Sequence, residues 1–190
     1  MLAKIALGVT SATSVAAATY AYRLVRQTRT DSLTGLGNRA ALAAAFHRAM
    51  RRGRGRVGIA IGDMNGFKAI NDTHGHRFGD QVLITVARVL RDTAQRGELP
   101  VRLHGDEFAV LLPSISTPEQ AEHRVREFQA AVAAITEVDG QPVDVGISLG
   151  VMTAPAAKAQ LSALLASADD RMYADKHATR QHTTRTAVTA

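Results

Sequence analysis

Hydrophobic and polar positions from Asp31 onward switch between a helical period and a strand period often enough to lay out the elements. A turn-rich stretch, Asp31-Ser-Leu-Thr-Gly-Leu-Gly-Asn38, leads into a helical pattern over Asn38 to Met50. Val57 to Ile61 reads as a short buried strand ending at Gly62-Asp63, a place where a strand end commonly delivers a functional carboxylate. Val82, Leu83, Val86, Val89 and Leu90 recur at helical spacing, in a helix starting near Gly79-Asp80. Val101 to Leu112 alternates and is broken at its centre by His104-Gly105-Asp106-Glu107, which predicts two strands joined by a tight turn with acids at its tip. A helix over Pro118 to Ala134 carries Ala121, Val125, Phe128 and Val132 on one face. A strand over Val143 to Val151 and a last helix from Leu161 to His177 complete the order. The class this predicts is α+β, a central, mostly antiparallel sheet flanked by helices.

The first thirty residues follow a different rule. No charged side chain occurs from Ile5 to Tyr22, and the run is bounded by Lys4 on one side and by Arg23, Arg26 and Arg29 on the other. It is just long enough to span a bilayer, but Ala dominates it and Thr10, Ser11, Thr13, Ser14 and Thr19 dilute it. Residues 1–30 therefore read as a single-pass membrane anchor or as a helical stalk packing on a partner. A cleaved leader would need a stronger apolar centre. As an anchor, residues 5–22 would leave the arginine-rich flank, and the rest of the chain, on the inner, cytoplasmic face of the cell membrane.

Composition narrows the chemistry. With 190 residues, 46% apolar and 21% charged, the chain suits one domain with a real core plus a short appendage. It has no cysteine, so disulfide scaffolds, thiolate zinc sites and cysteine nucleophiles are excluded, and any metal must be held by oxygen or imidazole. The net charge of +6 suits an anionic partner. Much of the excess lies in Arg48, Arg51, Arg52, Arg54 and Arg56, interleaved with Gly53 and Gly55 and without the aromatics of a single-strand binding platform. That run reads as a solvated loop, and nucleic acid is not the expected partner.

Two acidic sites remain, Asp63 at a strand end and Asp106-Glu107 at the hairpin tip. Adjacent strands could bring them together, and hard divalent cations bind at such a convergence of oxygen ligands.

The stretch Asp63-Met-Asn-Gly-Phe-Lys-Ala-Ile-Asn-Asp-Thr-His-Gly-His-Arg-Phe-Gly-Asp80 strongly resembles the core signature of the GGDEF family of diguanylate cyclases. Three further motifs resemble it in the right order: Asp31-Ser-Leu-Thr-Gly-Leu-Gly-Asn-Arg39, Arg102-Leu-His-Gly-Asp-Glu-Phe108 and Ala168-Asp-Asp-Arg-Met-Tyr-Ala-Asp-Lys176. The resemblance implies a palm-like nucleotide cyclase domain over residues 31–180, with 181–190 as a disordered tail. It implies an enzyme that condenses two GTP into cyclic di-GMP and releases pyrophosphate at the interface of a homodimer, each subunit holding one GTP. It further implies Asp63, the Met64 carbonyl, Asp106 and Glu107 as ligands of Mg2+ (or Mn2+), with Glu107 also helping to deprotonate the 3′-hydroxyl. Lys68, Lys176 and Arg180 match the groups that hold the terminal phosphates, Asn71 and Asp80 those that read guanine, and Gly105 the turn against the nucleotide. His76 is expected to be structural, and Asp31 and Arg39 to pair and fix the lead-in turn.

Two positions depart from the family pattern. The signature turn begins with two glycines in the family, and here the first is His104, whose side chain is far larger; the resemblance implies that this turn lies against the nucleotide. The family's Arg-x-x-Asp product site falls on Gln95 and Glu98, so it lacks the arginine that would grip phosphate and stack on guanine. Two rival readings follow: a non-catalytic regulator that binds GTP or a protein, marked by His104, and a nucleic-acid module, suggested by charge alone.

Overall fold

The computed structural model describes residues 28–52 and 55–187, with side chains described as far as Ala174 and at Lys176. The expected anchor or stalk at 5–22 lies outside these residues. Among the described residues no helix is long and apolar enough to cross a membrane.

Helix α1 (Arg39–Arg52) is capped by Asn38, whose Oδ1 accepts from the amides of Ala40 and Ala41 at 3.0 and 3.2 Å. Strand β1 (Arg56–Asn65), helices α2 (Phe67–His74) and α3 (His76–Thr93), and strands β2 (Leu99–His104) and β3 (Glu107–Ile115) follow. Next come helix α4 (Pro118–Ala133), a small hairpin of β4 (Glu137–Val138) and β5 (Gln141–Pro142), strand β6 (Gly146–Pro155) and helix α5 (Leu161–Ala187). The main sheet has the order β2-β3-β1-β6, and every neighbouring pair in it is antiparallel.

Both faces of this sheet are covered, which is why the strands read as nearly continuous apolar runs. Along β1, Val57, Ile59 and Ile61 point to one face and pack with Leu42, Phe46 and Ala49 of α1 and Leu164 and Ala168 of α5. Ala60 and Met64 point to the other and pack with Val82, Val86 and Leu90 of α3 and with Val125 and Phe128 of α4. The same alternation divides Ala109 and Leu111 from Phe108, Val110 and Leu112 on β3.

The expected α+β class and the hairpin turn are present, but several boundaries differ. Strand β1 continues to Asn65, so Asp63 sits inside a paired strand, opposite Glu107 on one side and Ser148 on the other. Hydrogen bonding from both neighbours carries the strand past the point where its apolar side chains stop. Helix α2 was not predicted; Ile70 is its one fully buried residue, and a single anchor leaves no periodicity to read. Helix α3 begins at His76, before the expected start near Gly79, and Gly75, at φ 82°, separates it from α2. The last sheet strand spans Gly146–Pro155, where Val143 to Val151 was expected. Helix α5 runs to Ala187, past both the expected end at His177 and the start of the expected tail at 181.

Candidate active site

The hairpin turn and the end of β1 bring the predicted acids together. Asp63 and Glu107 are direct partners in the β1–β3 register. Both have odd numbers in strands whose odd positions face α1 and α5, so both carboxylates share that face. The Met64 amide donates to the Asp106 carbonyl at 3.2 Å, which ties the turn to the strand and turns the backbone of Met64 toward the hairpin.

Lys176 reaches this cluster from α5, and its ammonium contacts Asp63 Oδ1. The contact depends on how closely α5 lies on the sheet. A Cβ built on Gly150 of β6 would stand 2.2 Å from the Ala168 carbonyl oxygen and 2.4 Å from the Met172 amide nitrogen. Ala168, Met172 and Lys176 are four apart and lie on one helix face, so the bare Gly150 lets the face approach and delivers the lysine.

Glu107 has a different neighbour. His104 Nε2 lies 2.7 Å from Glu107 Oε2, with the imidazole side chain 72% exposed. Yet Oε2 is buried and accepts no hydrogen bond from any described residue.

His104 adopts no positive φ: it ends β2 in extended conformation, and the left-handed turn residue is Gly105 at φ 48°. The turn is therefore compatible with histidine at this position, and the larger side chain bears on the site through its ring alone. Gly105 lies at the exposed tip, and its carbonyl accepts from Arg102 Nε at 2.7 Å.

Arg102 also corrects the expected partner of Asp31. Its NH1 donates to Asp31 Oδ1 at 3.1 Å, whereas Arg39 is exposed on α1. Arg39 follows the helix cap and turns away, while the backbone of Gly37 pairs with β2 and carries Asp31 to Arg102. Burial pushes the Asp31 carboxyl up, but hydrogen bonds from the Thr34 hydroxyl and amide, with the Arg102 guanidinium, outweigh it and hold the group below its ordinary range. Arg102 thus clamps the lead-in turn to the hairpin tip. A carboxylate in a turn signals a cation partner, but the sequence offers no rule for choosing one in a strand far along the chain.

Asn71 and Asp80 lie on α2 and α3, which pack together. Gly79 sits inside α3 because Asn71 lies over it: a Cβ there would be 2.0 Å from Asn71 Oδ1. Sequence reasoning took Gly79 for a helix start; a glycine within a helical pattern more often marks a close contact. The carboxylate of Asp80 is exposed, as is Lys68 on α2, whose side chain makes no ion pair among the described residues. His76 is exposed in the first turn of α3. The side chain of Arg180 is outside the described set.

Among the described residues no three His, Asp or Glu side chains already close around one point. The donor set is nonetheless that of a hard cation: carboxylates side by side, and a buried Glu107 oxygen with no donor of its own.

On the opposite side of the domain Arg124 is buried and bonded to Glu98 through both carboxylate oxygens, at 2.8 and 2.7 Å. It also contacts Glu127 and donates to the Thr93 carbonyl. Glu98 is therefore engaged within the fold.

The family described as "Diguanylate cyclase, GGDEF domain" matches residues 28–182. Diguanylate cyclase TpbB of Pseudomonas aeruginosa is 35% identical over 161 residues, covering 83% of this chain and 37% of that protein. Diguanylate cyclase DgcN of Escherichia coli is 35% identical over 163 residues, covering 82% and 38%. The chain thus spans under two fifths of the length of these relatives. The crystal structure of the TpbB GGDEF domain superposes with a TM-score of 0.70 at 34% identity, covering 76% of this chain and 92% of that one. The coiled coil and GGDEF domain of DgcB from Caulobacter crescentus, in complex with c-di-GMP, shares the fold with a TM-score of 0.78 at 24% identity, covering 94% and 96%.

Proposed function

The chain is a member of the GGDEF family of diguanylate cyclases, and on that premise we propose that it condenses two GTP into cyclic di-GMP and releases pyrophosphate. The observation that carries this reading is the register pairing of Asp63 with Glu107, with Asp106 in the turn between β2 and β3.

In this reading Asp63, the Met64 carbonyl, Asp106 and Glu107 hold Mg2+ or Mn2+, which when bound neutralises charge growing on the phosphates. Lys176, Lys68 and Arg180 hold the terminal phosphates. On nucleotide binding, Lys176 exchanges Asp63 for a phosphate oxygen. Asp80 accepts from guanine N1–H and the 2-amino group while the Asn71 amide donates to an acceptor on the base edge, O6 or N3, a pattern that adenine does not offer. Glu107 takes the proton of the 3′-hydroxyl as it attacks the α-phosphate of the GTP on a second chain, and pyrophosphate leaves. Each chain holds one GTP, so the ring closes only in a homodimer. Residues 5–22, uncharged between Lys4 and Arg23, would anchor the domain at the cytoplasmic face of the membrane.

Product does not bind tightly at the Gln95 and Glu98 surface, because Glu98 is held by Arg124 and no arginine occupies position 95. A second reading, a GTP-binding regulator without turnover, is favoured by one observation, the His104 ring against Glu107. Pyrophosphate release from GTP by the full chain separates the two. The cyclase reading expects a rate per chain that rises with protein concentration, because two half-sites must meet, and progress curves that stay linear as product accumulates. No release at any concentration supports the regulator.

A further inference from the structure

We propose that His104 is a nitrogen ligand of the divalent cation at this site, so that the site takes an ion of the Mn2+ class in preference to Mg2+. The inference rests on the cyclase reading for the presence of a cation and goes beyond it in the identity of the ion and one of its ligands.

The argument starts from the His104–Glu107 contact. Nε2 of His104 is 2.7 Å from Oε2 of Glu107 across the end of the hairpin. Two lone-pair atoms this close are placed to act as neighbouring donors to one ion. Ligand atoms about 2.1 Å from one ion and at right angles around it are roughly 3 Å apart, close to the separation seen.

The backbone supports the same assignment. His104 and Glu107 are register partners at the hairpin end, flanking the two-residue turn, so their side chains are held together by strand pairing. The ring is 72% exposed, which leaves its nitrogen reachable by an ion arriving with a nucleotide. The remaining positions are filled from Asp63, Asp106, the Met64 carbonyl and phosphate oxygens, the ligands of the cyclase reading.

Imidazole then sets the preference. Mg2+ favours oxygen donors and gains little from nitrogen, whereas first-row transition ions gain from a mixed nitrogen and carboxylate set. The histidine that breaks the family's glycine pair is on this account a change of metal preference.

The test uses the full chain, the His104→Gly variant, which restores the family residue at an exposed turn, and His104→Asn as a second variant that keeps a side chain there. Mn2+ binding is titrated by the spin-resonance signal of the free ion, with and without GTP, and the bound ion is examined for spin-echo modulation from 14N. The expected result is imidazole modulation in the parent and none in either variant. Mn2+ affinity should fall about tenfold or more in both, while Mg2+ affinity, read by competition, changes by less than about twofold. Bound Mn2+ without nitrogen modulation in the parent, modulation that survives in the variants, or tighter Mn2+ binding after removal of His104 would overturn the assignment and leave the cyclase reading intact. No Mn2+ bound by any of the three chains, even with GTP, would overturn both.

Discussion

Asp63 and Glu107 stand directly opposite each other on adjacent strands, two carboxylates on one face of the sheet. Like charges so placed repel; the Lys176 ammonium lies against Asp63, and the His104 ring lies beside Glu107. A divalent ion that replaces these contacts relieves the repulsion in the folded chain alone. Mn2+ or Mg2+ at a hundredfold excess over its dissociation constant should therefore stabilise the protein by about 2.7 kcal/mol, a rise in Tm of roughly 5–10 °C. Thermal unfolding checks this, and the rise should be absent in Asp63→Asn. A metal-induced rise that persists in that variant would place the ion elsewhere.

Gly79 connects the fold to the proposed base recognition. Its missing Cβ leaves room for the Asn71 amide, and the obstacle a methyl would meet is the movable end of that side chain. Gly79→Ala should accordingly leave stability unchanged or raise it by up to about 1 kcal/mol through helix propensity. It should weaken GTP binding about tenfold by displacing one reader of guanine, the loss of roughly one buried polar contact. Affinities for GTP and ATP measured side by side should converge in the variant; unchanged discrimination would remove Asn71 from the recognition set.

At Gly150 the obstacle is backbone, so the outcome is different. Gly150→Ala must push α5 off the sheet, at a cost on the order of 3 kcal/mol, and withdraw Lys176 from Asp63. Urea unfolding measures the first effect and the KM for GTP the second. Stability within about 0.5 kcal/mol of the parent, the range of a neutral surface change, would show that the helix does not rely on this approach.

Acid should act through Asp31. Its carboxyl is held below the ordinary 3.8 in the folded chain by Thr34 and Arg102 against the opposing effect of burial. A depressed folded pKa contributes stability that is present above the unfolded value and lost as pH falls through the folded one. Asp31→Asn should lower stability at neutral pH by about 1 kcal/mol and flatten the acid limb below about pH 4. An unchanged acid limb would mean that other carboxylates carry it.

The fold was legible where side chains alternate or recur. Val57, Ile59 and Ile61, the Val82 to Leu90 face and the break at Gly105-Asp106 each state their element directly. What the sequence concealed depends on neighbours distant in the chain. Asp31 reaches Arg102 because Gly37 pairs with β2, and nothing local to Asp31 distinguishes Arg102 from Arg39. Gly79 and Gly150 look like weak points of a helix and a strand, and their roles emerge only when Asn71 and α5 are in place. Helix α2 was hidden because Ile70 is its one fully buried residue. The site acids were legible as types, and their meeting required the β1–β3 register.

The central claim is that these residues together make cyclic di-GMP. The most direct measurement incubates the full chain at high concentration with GTP and Mg2+, or Mn2+ in a parallel sample, and resolves the nucleotides by chromatography with mass detection beside an Asp106→Ala control. Cyclic di-GMP that forms with the parent and vanishes in the control is the predicted result. GTP that binds but yields no cyclic product with either ion, while His104→Gly restores synthesis, would contradict the claim and identify the protein as a GTP-binding regulator.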